Sequence, residues 1–291
     1  MQTITFYILP IASIQNIEKS IPRLTEICNQ IKNNSDIIQL TQEFYAADIN
    51  GKTFFDKIDL SKMDSTTKFI IQYFASSNPT STPINSINFS DYHNQFIEID
   101  DNRNLKDEFI IRTKEDLINY YQTSSLQLQD FSELFDWKKK CFPSLLFTED
   151  SFGNNHKAFS DDNPTVFCHL YEQAIHCLAI LNNQTDEFHS LSNEQKINAL
   201  QTQASNIECT GKGRNEKQEF KKDVFITIDG STQKSKLSCQ PHFKLIRKDS
   251  DYLIYFSWGD NQIKHNTIIV VKLGNHWNST SDSVLSEIII T

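Results

Sequence analysis

The sequence predicts an α+β protein of two parts: a mixed α/β body over 1–205, and a small antiparallel β-rich domain over 206–291. Three observations point there. Apolar residues recur at helical spacing in several stretches of the first two thirds, interleaved with short alternating runs. After Asn206 the texture becomes polar and basic, then turns to branched and aromatic runs of strand length. The charge changes at the same place: residues 1–205 hold 16 Lys and Arg against 27 Asp and Glu, and residues 206–291 hold 12 against 10.

The elements follow in order. Ile4, Phe6 and Ile8 alternate and read as a strand over 3–9. Ile14, Ile17, Ile21, Leu24, Ile27 and Ile31 mark one helical face over 13–33, with Ser13 as the cap. Short β-like runs come next at 37–46, 52–58 and 68–75, before a Ser, Thr, Pro and Asn-rich loop at 78–88. Gln95–Ile99 and Glu108–Ile111 read as strands. Thr113 with Asp116 three residues later opens a helix running to about Tyr121. A second helix over 128–140 ends in Lys138, Lys139 and Lys140, which suits the negative end of a helix dipole. Leu145, Leu146 and Phe147 form a short apolar run. Pro164 then starts the best-marked helix, 164–182, with Phe167, Leu170, Tyr171, Ala174, Leu178 and Leu181 on one face. Ser192 and Glu194 open a further helix over 193–204.

Residues 209–222, with Gly211 and Gly213, read as a polar linker. Val224–Ile228 and Thr232–Leu237, joined by Asp229-Gly230, predict a hairpin, because that dipeptide supplies the positive φ of a tight turn. Tyr252–Phe256 and Thr267–Leu273 predict two more strands.

Composition narrows the function. Aromatics make up 11% of the chain, including 21 Phe, so the chain is expected to fold. Only seven glycines occur and no Gly-x-x-x-x-Gly-Lys-Ser/Thr motif is present, which removes the glycine-rich phosphate loops. The N-terminus lacks a basic segment before an apolar one, and no apolar run approaches membrane length, so a cytoplasmic protein with no membrane contact is expected. The six cysteines form no Cys-x-x-Cys pair and are expected as free thiols. His169, Glu172 and His176 share a helix face, and Cys239 and His242 have a chelating spacing. A polar helix face and a packed cysteine explain both more simply, so no metal and no cofactor is expected. The acidic pairs Asp100-Asp101 and Asp161-Asp162 read as exposed loop residues.

One resemblance adds to this. Tyr252 to Tyr255, a polar turn, Ile268 to Leu273, and then Gly274, His276 and Trp277 resemble the central hairpin of RelE/HigB-type toxins. Cys239 to Leu245 also resembles a segment of uncharacterised bacterial proteins with a RelE-like C-terminal sheet, some associated with phage-defence loci. The resemblance covers 220–278 best and 141–184 weakly. It implies a metal-independent endoribonuclease with Lys244 and Arg247 on phosphate and Tyr255 or His276 as acid and base. Lys212, Arg214, Lys221, Lys222, Lys248 and Lys272 would add a phosphate-binding face. Leu253 and Trp277, however, stand where that family carries Arg. The leading expectation is therefore an interaction or accessory protein of a defence or toxin-type system. Its C-terminal sheet would engage a protein partner or nucleic acid, with RNA or the ribosome among the possible targets. The nuclease is the alternative.

Overall fold

The computed structural model describes residues 3–9, 14–46, 61, 68, 87, 94–98, 110–128, 130–153, 164–211, 220–228, 231–245, 252–259, 267–277 and 286–290. Helices and sheets are both extensive, and the chain is α+β. It divides into two compact units, Met1–Tyr121 and Gln122–Thr291.

The first unit is built on a four-stranded sheet of β1 (Thr5–Ile8), β2 (Ile37–Leu40), β3 (Asn94–Ile97) and β4 (Ile110–Ile111), in the order β2-β1-β3-β4. Every pairing among the described residues of this sheet is parallel. Parallel neighbours need a long crossover, and α1 (Ile14–Asn33) supplies it between β1 and β2. Its Ile21, Leu24, Ile27, Cys28 and Ile31 are buried, as are Ile4, Phe6 and Ile8 of the first strand region. Asp36, just before β2, locks this corner: Oδ1 accepts from the Ile4 N–H at 3.1 Å and Oδ2 from the Tyr121 hydroxyl at 2.6 Å.

The run 37–46 is a strand only to Leu40. The Thr41 hydroxyl accepts from the Phe44 N–H at 3.3 Å, and the chain turns into α2 (Gln42–Ala46). The runs 52–58 and 68–75 and the loop 78–88 lie outside the described residues, apart from Lys68 and Ile87; Ser13 and both Asp-Asp pairs do too. At the carboxyl end of the sheet, Glu98 is buried and Arg112 donates to its Oε2 from Nη2 at 2.8 Å and from Nε at 3.2 Å. The helix expected at Thr113 is α3 (Lys114–Ser125). Thr113 Oγ1 accepts from the Asp116 N–H at 3.0 Å, and Asp116 Oδ2 accepts from the Thr113 N–H at 2.9 Å, a reciprocal cap. It runs one turn beyond Tyr121.

The second unit carries α4 (Phe131–Cys141), β5 (Leu146–Phe147), α5 (Pro164–Asn182), α6 (Asp186–Ser190) and α7 (Asn193–Gln203), followed by the remaining strands. The cap of α4 is Asp130, whose carboxylate accepts from the Ser132 N–H at 2.8 Å. α5 spans the residues its apolar pattern predicts, and Leu170, Tyr171, Ala174, Leu178 and Leu181 are buried. α7 opens with a full capping box between Ser192 and Gln195.

Two sheets follow. One has the order β5-β11-β10-β9-β6, from β6 (Glu208–Thr210), β9 (His242–Lys244), β10 (Leu253–Ser257) and β11 (Ile269–Gly274). The other has the order β12-β7-β8, from β7 (Lys221–Ile228), β8 (Ser231–Ser238) and β12 (Ser286–Ile290). The hairpins β7–β8 and β10–β11 are antiparallel as expected. The C-terminal part is nevertheless not one small antiparallel sheet. β5 joins β11 and β12 joins β7 in parallel, and two sheets share one core. Val224, Ile226, Leu237 and Ile288 of the smaller sheet cluster with Leu253, Tyr255, Ile269 and Val271 of the larger.

The compact units divide well before residue 205. β5 belongs to the same sheet as β6 and β9–β11, and α7 packs on β6, so residues 122–205 fold with the strands that follow them. The change of texture at 206 is a change of secondary structure inside one unit. Both ends of the expected linker 209–222 are strand, since β6 runs to Thr210 and β7 begins at Lys221; residues 212–219 lie outside the described residues. No described helix is long and apolar enough to cross a membrane.

Candidate functional site

Of the residues singled out from the resemblance, Lys244, Tyr255 and Lys272 lie on the adjacent strands β9, β10 and β11. Tyr255 is the centre of that sheet, paired with His242 on one side and Lys272 on the other. It is fully buried. Its hydroxyl accepts from the Trp277 N–H at 3.1 Å, and its ring lies 4.9 Å from His242, 5.5 Å from Trp277 and 5.7 Å from Phe220. Phe220 and Trp277 stack on each other at 5.6 Å. These rings close one side of the core shared by the two sheets. His242, also buried, is fixed through both nitrogens: Nδ1 donates to the Gln240 carbonyl at 2.9 Å, and Nε2 shares a hydrogen bond with Thr210 Oγ1 at 3.0 Å.

The described basic side chains do not converge on one point. Lys244 pairs with Glu208, its register partner on β6, at 3.2 Å. Lys222 is buried, and its ammonium meets Asp150 Oδ2 at 2.6 Å while the Ser286 hydroxyl donates to Asp150 Oδ1 at 2.7 Å. Burial alone would push the Asp150 carboxyl up. The hydrogen bonds from Lys222 and Ser286 and the charge of Lys222 outweigh it and hold the group below its ordinary value. Lys272 donates to the His276 carbonyl at 3.1 Å, and His276 is exposed. Lys221 is exposed on β7. Lys212, Arg214, Arg247 and Lys248 lie outside the described residues. Thus Tyr255, Lys272 and His276 are neighbours, whereas Lys222 and Lys244 each sit in an ion pair of their own.

The metal spacings resolve in the same way. His169, Glu172 and His176 lie on the exposed face of α5. Cys239 is buried, and its thiol, pushed up to about 12 mainly by burial, donates to the Leu237 carbonyl at 3.5 Å. Among the described residues no group of three His, Cys, Asp or Glu is placed to hold a metal.

The sequence carries no clear local signal for the role of Trp258 or for α6, whereas the opening of α7 at Ser192 is as expected. Trp258 follows β10 and makes ring contacts with Phe256 at 5.1 Å and Phe188 of α6 at 6.0 Å. Together with Asn193, Glu194, Ile197 and Asn198 of α7, and with Ser238, Gln240 and Pro241 before β9, it walls a cavity of about 420 Å³. The segment from Cys239 to His242 was a sequence signal for this region, but nothing local ties it to α7.

No family model, curated protein or solved structure matches the chain.

Proposed function

We propose that this chain is a non-catalytic interaction protein whose C-terminal unit engages a protein partner, within a defence or toxin-type system. The observation that carries this reading is how the basic set is used. A ribonuclease of the RelE type needs several unpaired cations and an accessible acid or base around one scissile phosphate. Here Lys222 and Lys244 are held by carboxylates and the Tyr255 ring is buried. The outer face of the β7–β8 hairpin is better suited to a protein. Phe225 is 36% exposed there, flanked in register by Lys234 of β8 and Glu287 of β12, an apolar centre with charges of both signs at its rim.

Two measurements test this. Purified chain incubated with total RNA and ribosomes, with and without EDTA, is expected to leave the RNA intact. EDTA-resistant cleavage that disappears in His276→Ala would overturn the proposal in favour of the nuclease. Affinity capture from the native host is expected to recover a stoichiometric protein with the wild-type chain and not with a folded Phe225→Asp variant.

A further inference from the structure

The cavity beside Trp258 has the size and lining of a small-molecule site, and none of the chemistry discussed above uses it. At about 420 Å³ it falls in the range of ligand pockets, roughly 300–1,000 Å³. Its wall mixes two kinds of surface. Trp258, Ile197 and Pro241 are apolar, and the amides of Asn193, Asn198 and Gln240 stand among them. Those three side-chain amides make no hydrogen bond to another described residue, so each still offers a donor pair and an acceptor. Among the described wall residues the only charged one is Glu194, and none is Lys, Arg or His. The ammonium of Lys196 lies over the Trp258 ring at 5.3 Å and is not part of the wall.

The walls are also held in place. The reciprocal cap of Ser192 and Gln195 fixes the first turn of α7. Further along the same helix, Gln201 accepts from the Cys209 N–H at 2.6 Å and donates to the Ile207 carbonyl at 3.2 Å, tying α7 to β6. β6 pairs with β9, and the Phe256 N–H donates to the Pro241 carbonyl at 3.0 Å, which joins the Pro241 wall to the Trp258 wall. A cavity whose walls are fixed before the ligand arrives pays little ordering cost on binding.

We infer that this cavity binds an uncharged heterocycle with a hydrogen-bonding edge, of the nucleobase or nucleoside class. An indole and a proline offer flat apolar contact to a ring, and unspent amides pair with alternating donors and acceptors on its edge. A phosphate is disfavoured, since the charged group it would meet among the described wall residues is a carboxylate. A bare sugar ring fits the amides but gains less from a flat wall.

The test is intrinsic tryptophan fluorescence of the full chain, titrated separately with adenosine, guanosine, cytidine and uridine. Methyl glucoside and the four nucleoside 5′-monophosphates serve as comparators. At least one nucleoside is expected to quench saturably with a Kd below about 1 mM. Its monophosphate should bind about tenfold more weakly, and Glu194→Gln should narrow that gap. Asn198→Ala and Gln240→Ala should each weaken nucleoside binding about fivefold to tenfold with an unchanged circular dichroism spectrum. Trp258→Phe should remove the quench while Trp137 and Trp277 continue to emit. The inference is overturned if no nucleoside saturates with a Kd below about 1 mM. It is equally overturned if methyl glucoside binds instead, or if neither amide variant changes the affinity.

Discussion

Single buried charges decide more here than their number implies. Lys222 is 2% exposed, so its ammonium depends on Asp150 across the gap between β7 and the turn after β5. Asp150→Asn should cost about 2 kcal/mol in urea unfolding, below the full penalty for a broken buried pair because the carboxylate is half-exposed. The pH dependence follows from the direction of the shift. Asp150 titrates lower in the folded chain than in the unfolded one. The stability it contributes is therefore present above the unfolded value, about 4, and is lost as pH falls through the folded one. In Asp150→Asn the acid limb of the stability curve should be shallower. Lys138 is lowered as well, by burial rather than by an oppositely charged partner. Its ammonium lies 3.1 Å over the Phe135 ring, and burial, helped by the charge of Lys139, lowers its pKa to about 8. Between that value and the unfolded one, near 10.4, the unfolded chain binds the extra proton, so this group makes stability rise with pH. A nitrogen-15 titration of the Lys138 side chain should show a midpoint near 8. A midpoint near 10 would refute the assignment.

At the scale of elements, the turn after β10 is set by one glycine. Gly259 has φ +90°, and a Cβ built there would lie 2.6 Å from the Thr267 carbonyl oxygen, which is backbone and cannot step aside. Gly259→Ala should destabilise the chain by about 2–3 kcal/mol, with the loss of amide protection concentrated in β10 and β11. These two strands, like the β7–β8 hairpin and α5, were legible in the sequence because each carries its own signal. Tyr252–Phe256 and Thr267–Leu273 are dense in branched and aromatic residues, and Pro164 announces α5. The elements that escaped are those whose partners lie far away. β5 has two residues and β9 three, too few for any periodicity. β12 carries the branched run Ile288–Ile290, but its place in the sheet is set by pairing with β7, about sixty residues earlier. The site was partly hidden for the same reason. Lys244 reads as a free cation until β6 brings Glu208 opposite it, 36 residues away in sequence. Trp258 is a lone aromatic after a strand until α6 and α7 come to meet it.

For the whole molecule, the two compact units replace the body and domain that charge and texture outlined. The charge asymmetry stands as a property of the sequence, but it does not mark a folding boundary. A fragment of residues 206–291 lacks β5, α5 and α7, so Ile269, Val270 and the α7 face of β6 lose their cover. Expressed alone, it should aggregate or give a collapsed amide spectrum, whereas the intact chain should give a dispersed one. A well-dispersed spectrum from the fragment would show that residues 206–291 are sufficient to fold.

The pairing of β5 with β11 also has a consequence in time. The hydroxyl of Thr148 donates to the Val271 carbonyl 123 residues further on. A ribosome adding roughly 5–20 residues each second leaves Leu146 and Phe147 waiting for about 6–25 s before that strand exists. Throughout that interval the nascent chain displays an apolar strand without a neighbour, and its yield in the cell depends on what shelters it until β11 emerges.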